Sequence, residues 1–173
     1  MSQLKNYTGS VYGGLGHLLK AYCETKNIEI PEQLQQVQKL ERFDYVIWRD
    51  LLEDLNRLNP KTGLGLEIAE HVQPKHLGII AYLALSCENL GEALARYHDF
   101  HRLIYDGSPL VVEFNPPYAS IRWEAPEPNP TQLTDEIAIA LMVQFHKLFL
   151  SGEDLNLHEV HFVNTAPKNI MVY

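Results

Sequence analysis

Between Leu110 and Trp123 the apolar residues recur at every second position, whereas before and after that stretch they recur at helical spacing. This change of period restricts the chain to a mixed architecture. Leu110, Val112 and Phe114 alternate with Val111 and Glu113; Asn115-Pro116-Pro117 turns the chain; Ala119, Ile121 and Trp123 then alternate with Tyr118, Ser120 and Arg122. The pattern predicts an antiparallel hairpin with one face on the core. A further strand is expected over His158 to Val163, where Val160 and Phe162 face the same way.

The helical stretches carry their own stop and start signals. Val11 to Thr25 puts Val11, Leu15, Leu18, Leu19 and Tyr22 on one face, although Gly13, Gly14 and Gly16 each cost about 1 kcal/mol against alanine, so that helix depends on packing. Arg42 to Leu58 shows an apolar stripe of Ile47, Trp48, Leu51, Leu52, Leu55 and Leu58, and Asn59-Pro60 ends it. Short helices are expected over Leu64 to Val72 and Ile79 to Ser86. Asn89, with Glu92 three residues on, forms a capping-box signature for a helix whose stripe runs Leu90, Ala93, Leu94, Tyr97, His101, Ile104 and Tyr105 before Gly107. After the proline-rich loop Glu127-Pro128-Asn129-Pro130, Gln132 to Leu150 reads as a helix apolar almost all round, with a narrow polar stripe of Glu136, Gln144 and Lys147. The expected fold class is α+β, with helices packed against a small antiparallel β-sheet, in one domain over residues 1–173.

Charge and cysteine usage exclude several functions. With 14 basic and 22 acidic residues the formal charge is −8, and no Lys/Arg cluster forms a phosphate-binding face, so direct nucleic acid binding is not expected. Cys23 and Cys87 have no CxxC spacing, and both read as small buried hydrophobes in a reducing cytoplasm. Met1 to Ser10 lacks the pattern of a signal peptide, and no apolar run is long enough to span a membrane.

Catalytic signatures are missing as well: no Walker lysine, GxSxG or HExxH is present, so the chain reads as no enzyme, with no cofactor and no metal. His98 and His101 lie three apart, as do His158 and His161, but the first pair lacks a nearby carboxylate or cysteine of obvious ligand spacing and strand geometry turns the second pair to opposite faces. His101 stands out because it lies within an otherwise apolar stripe, where an imidazole must find a partner. The aromatic set Tyr12, Tyr22, Trp48, Tyr82, Tyr97, Tyr105 and Trp123 is consistent with plain core or with an amphipathic pocket. Tyr118-Ala119-Ser120-Ile121-Arg122 resembles the YxSxR propionate-binding string of haem-based nitric oxide sensor domains.

A longer string has a wider resemblance. Gly63-Leu64-Gly65-Leu66-Glu67-Ile68-Ala69, then Pro74, then Leu77-Gly78-Ile79-Ile80-Ala81-Tyr82, then Asn89-Leu90-Gly91-Glu92-Ala93-Leu94-Ala95-Arg96-Tyr97 resembles the N-terminal effector-binding domain of AraC/XylS-type transcription regulators. The similarity is to the arabinose-binding-like branch, helical with a small sheet, and it runs on through His158-Glu159-Val160-His161-Phe162 to Ala166-Pro167. It implies a cytoplasmic regulatory domain that takes a small-molecule effector, such as a fatty or amino acid, and forms a homodimer. It also implies further strands and a pair of helix-turn-helix units beyond this region. A sheet edge left open by missing strands is expected to be exposed or covered by a second copy.

Within that resemblance, Tyr82, His101, Tyr105, Arg122 and Trp123 are the expected ligand-binding residues. Tyrosine hydroxyls and His101 would orient a polar head, Trp123 would supply apolar contact, and Arg122 would matter where the sheet face opens to the pocket. The alternative is a haem-binding gas-sensor-like domain that uses His98 or His101 with the Tyr118, Ser120 and Arg122 face.

Overall fold

Arg42 ties three separate stretches of chain together. Its guanidinium donates to Ser10 Oγ at 2.9 Å, to the Ser10 carbonyl at 2.9 Å and to the Leu103 carbonyl at 2.6 Å, and it pairs with Asp106 at 3.5 Å. Asp106 in turn accepts the Ser10 N–H at 2.6 Å. These bonds seat β1 (Ser10–Tyr12) antiparallel to β2 (Arg42–Asp44), with Val11 opposite Phe43, and Val11 also bridges to Tyr105. The coordinates are a computed structural model describing residues 8–124, 130–150 and 157–173. Most of the Met1 to Ser10 stretch, Glu127-Pro128-Asn129 and Ser151-Gly152 lie outside the described residues.

Helices α1 (Gly13–Lys26) and α3 (Tyr45–Leu58) therefore start later than their hydrophobic stripes suggest, because the long-range pairing takes the first residues of each stripe into strands. Asp44 then caps α3 by accepting the Val46 N–H at 2.8 Å. Between them lies α2 (Glu32–Val37), a short helix after Pro31 that buries Leu34 and Val37 and is too brief to show a period. α4 (Leu64–Ala69), α5 (Pro74–Leu77) and α6 (Ile79–Leu85) follow. Gly14 lets α1 pack on α5: a Cβ there would lie 2.5 Å from the His76 carbonyl oxygen.

α7 (Leu90–Phe100) is capped as its sequence predicts, with Asn89 accepting the Glu92 N–H at 2.9 Å; the returning Glu92 carboxylate accepts instead from the Glu88 N–H at 3.2 Å. The helix ends at Phe100 rather than Tyr105, and His101–Leu103 form a 3₁₀ turn. Pairing again explains the difference, since Tyr12 donates its N–H to the Ile104 carbonyl at 2.8 Å and residues 104–106 must leave the helix to meet β1.

The hairpin forms as expected from β3 (Leu110–Asn115) and β4 (Tyr118–Trp123), with Val112 opposite Ile121. Its Leu110/Trp123 and Val112/Ile121 pairs lie on the core, whereas Phe114 and Tyr118 near the turn are exposed. α8 (Gln132–Leu150) spans the expected residues and packs on α4. Its Glu136 departs from the expected solvent stripe: it is only 3% exposed. It accepts from the Gly65 N–H at 3.3 Å, from Gln132 at 3.1 Å and from the Tyr173 hydroxyl.

Residues 157–173 form no strand, contrary to the alternation over His158 to Val163. They run along α8 instead, where Val163 donates its N–H to Asp135 Oδ2 at 2.8 Å and Asn164 donates to the Pro130 carbonyl at 3.1 Å. Alternation alone does not make a strand when no neighbouring backbone offers a ladder. The molecule is thus α+β, with helices and two small antiparallel sheets sharing one hydrophobic cluster.

Candidate functional site

A cavity of ≈ 130 Å³ lies where α1, α3, α7, α8 and the hairpin converge. Leu15, Trp48, Tyr97, Trp123, Met142 and Phe145 bring one apolar surface from each of these elements. Each arrives by its helical or strand period: Trp48 and Tyr97 lie on the buried stripes of α3 and α7, and Trp123 ends the inward set of β4. Tyr97 and Phe145 pack with ring centroids 5.6 Å apart.

The polar groups around the cavity are few. Tyr45, Tyr97, Tyr105, Ser108, Thr134 and Asp135 reach it, and among the described residues that line it there is no Lys, Arg or His. Burial raises the pKa of Tyr45, opposed by its contact with Thr134, and burial alone raises that of Tyr97, so both are neutral phenols. Tyr105 donates to the Thr8 carbonyl at 3.2 Å, Thr134 donates to the Thr131 carbonyl at 2.9 Å, and Asp135 holds the Val163 N–H. Ser108 is different: it is 4% exposed, and its Oγ is buried without a hydrogen-bond partner among the described residues. A buried hydroxyl left unpaired is costly, and such groups are rare enough to need an explanation.

A second, larger cavity of ≈ 360 Å³ lies between the first turn of α8 and the 160–173 segment, beside Glu136, Val160, Phe162 and Tyr173. Burial and the bond to Glu136 push the Tyr173 hydroxyl up to about 12. Asp135 lines both cavities.

Of the five residues expected from sequence, Tyr105 and Trp123 line the first cavity. Tyr82 lies on the outer face of α6 and is 55% exposed. Arg122 is on the solvent face of the hairpin, 3.8 Å from Glu113 and 4.0 Å from Glu124. His101 lines neither cavity: its Nδ1 bonds to the His98 carbonyl at 2.7 Å and its Nε2 is buried without a partner among the described residues. The break after Phe100 takes it off the α7 stripe. Tyr118 and Ser120 are exposed with Arg122, and Tyr118 stacks on His158 at 4.6 Å. None of these three lines either cavity.

Tyr45, Ser108 and Thr134 carry no such signal in the sequence. Ser108 lies between Gly107 and Pro109 and reads as a turn, while Tyr45 and Thr134 read as residues of a helix start. Cys23 is fully buried and its thiol is pushed up to about 11 by that burial, so it is no nucleophile. No group of three His, Cys, Asp or Glu side chains converges as a metal site among the described residues. Nor is any helix among them long and apolar enough to cross a membrane.

The model of the N-terminal arabinose-binding domain of AraC transcription regulators matches residues 25–173. No curated protein matches the chain.

Proposed function

The chain belongs to the family of N-terminal arabinose-binding domains of AraC transcription regulators, and from that premise we propose that the 130 Å³ cavity is its effector site. The observation that carries this reading is a largely apolar cavity where four helices and the hairpin converge, with a few polar side chains such as Tyr97 and Asp135 on its wall, the combination of apolar wall and sparse polar group that small-molecule sites use. In this reading residues 1–173 act as one regulatory domain in the cytoplasm. The bound effector controls DNA binding by a helix-turn-helix domain, and a homodimer is the working unit. Residues 1–173 themselves contact no nucleic acid in this reading, in keeping with their charge of −8.

Tyr105 and Trp123 keep their proposed role as lining residues, joined by Tyr97 and Ser108. Control needs an effector that distinguishes two states of the domain. Asp135 offers a route, because its carboxylate lines the cavity and also holds the Val163 N–H of the C-terminal segment. An effector that displaces Asp135 would release that segment.

Native mass spectrometry of the gently desalted chain tests the site. A retained small molecule that Ala138→Phe excludes supports the reading, since Ala138 lines the cavity. A retained molecule that this substitution leaves in place would put the effector elsewhere.

A further inference from the structure

Among the described residues that line the ≈ 130 Å³ cavity, Asp135 alone carries a charge, and it is an anion. Burial raises the Tyr45 pKa, and the Asp135 charge adds to that rise, which puts the carboxylate beside a phenol of the cavity wall. Asp135 Oδ2 accepts the Val163 N–H at 2.8 Å, and the carboxylate pairs with no Lys or Arg among the described residues. Arg49 also acts on Tyr45, but it is paired with Asp50 at 3.1 Å and does not line the cavity. An ionised carboxylate with one N–H bond keeps acceptor capacity that only a donor can use.

The rest of the wall suits a cation as well. Trp48, Tyr97, Trp123 and Phe145 bring aromatic rings to the same space, and aromatic faces attract an ammonium. A carboxylate ligand meets a like charge there and no Lys, Arg or His. A neutral alcohol or carbonyl compound can bond to the Tyr97 hydroxyl or to a tryptophan N–H, but it gains neither the charge-assisted bond to Asp135, about twice as strong as a neutral one, nor the cation–π attraction. Desolvation of the ammonium is only partial, because Asp135 is half-buried and also borders the second cavity.

We infer that the effector is a small amine of about one ring or a short chain, whose ammonium pairs with Asp135 while its apolar body packs among Trp48, Tyr97, Trp123 and Phe145. This rests on the cavity being the effector site, and it replaces the fatty or amino acid expected from sequence with an amine that carries no carboxylate. An ammonium drawing on Asp135 competes with the Val163 N–H, so this class of ligand acts directly on the contact that holds the C-terminal segment.

The chain's two tryptophans, Trp48 and Trp123, both line the cavity, so intrinsic fluorescence reads its occupancy. Benzylamine, benzyl alcohol and benzoate share a ring and differ in the charge that Asp135 would meet. Benzylamine, protonated at neutral pH, is expected to change the emission saturably and to bind at least about tenfold more tightly than benzyl alcohol or benzoate. Asp135→Asn keeps an oxygen for the Val163 N–H and removes the charge. It should weaken benzylamine by about tenfold and leave benzyl alcohol within about twofold.

Equal or tighter binding of benzyl alcohol or benzoate overturns the inference, as does an Asp135→Asn effect of the same size on benzyl alcohol. If no probe binds while native mass spectrometry shows a molecule excluded by Ala138→Phe, the effector site stands and Asp135→Asn decides the class: loss of that molecule supports the amine, and its retention overturns it. If no probe binds and no such molecule is found, the site reading falls and the amine falls with it.

Discussion

The Tyr22 hydroxyl, buried in the core, donates to the Glu67 carboxylate at 2.8 Å. That carboxylate joins α1 to α4 and also receives Lys26 at 2.7 Å and Lys61 at 2.8 Å, while Asn59 donates to the Tyr22 oxygen at 2.9 Å. Three stretches of chain (α1, the segment after α3, and α4) thus meet at one anion. Burial alone would raise the Glu67 pKa, but the hydrogen bonds from Lys26, Lys61 and Tyr22 outweigh it and bring the value down to about 2.

Acid should therefore unfold the domain in two steps with different causes. Burial, helped by the charge of Lys75 and by His17, lowers His76 from 6.5 to about 4, so the unfolded chain takes up that proton first and stability falls as pH drops through this window. Glu67 adds a second loss between 4.5 and about 2, because its folded value lies below the unfolded one. His76→Asn, which keeps an acceptor for the Gln73 N–H, should shrink the loss in the upper window, and the remainder belongs to His146, whose burial also lowers its pKa. Glu67→Gln should flatten the lower one and cost about 1–3 kcal/mol at neutral pH. Urea midpoints measured against pH check both; a Glu67→Gln profile parallel to wild type below pH 4.5 would contradict the assignment.

Gly65→Ala should destabilise the domain by about 1–3 kcal/mol. A Cβ at Gly65 would lie 2.7 Å from Glu136 Cβ and 2.9 Å from the Ile137 nitrogen, so α4 and α8 would have to separate and the Gly65 N–H bond to Glu136 would lengthen. The comparison is Gly91→Ala on α7, where the space around the added methyl holds only the Asn89 side chain at 3.3 Å. Thermal melts in which both variants behave alike would disprove the packing argument.

Ser108→Ala should stabilise the ligand-free chain. Removing an unpaired buried hydroxyl relieves about 1 kcal/mol, which corresponds to roughly 2–4 °C in Tm for a domain of this size. A fall in Tm would mean that the hydroxyl has a partner after all.

Substitutions at the expected binding residues should split into two groups. Trp123→Leu removes part of the cavity wall and should weaken occupancy of the cavity by about tenfold or more, as read by native mass spectrometry. Tyr82→Ala and Arg122→Ala change exposed faces of α6 and the hairpin and should leave occupancy unchanged. Loss of occupancy in Tyr82→Ala would relocate the site to the outer face of α6.

How much of this was legible depends on the distance between partners. The hairpin, the α7 cap and the full span of α8 follow from residues within a few positions of one another, and the structure forms all three. Trp48, Tyr97 and Trp123 were visible as members of an aromatic set, though not as neighbours. The misreadings of Val11, Arg42 and His101 share one cause, the long-range pairing of β1. Val11 and Arg42 look helical from their own surroundings, and only the bonds among Ser10, Arg42 and Asp106 place them in strands. His101 looks central to a stripe until the pairing of Tyr12 with Ile104 ends the helix before it.

The amino-acid sequence by itself determined the α+β class, the main helices and the hairpin, because hydrophobic period, capping and turn residues act over short stretches of chain. Tertiary structure alone decided that Ser108 would be buried unpaired, that Glu136 would be enclosed rather than solvated, and that Arg122 would face away from the cavity. Each of those outcomes depends on which distant surface covers a residue. That is a property of packing, and no local period encodes it.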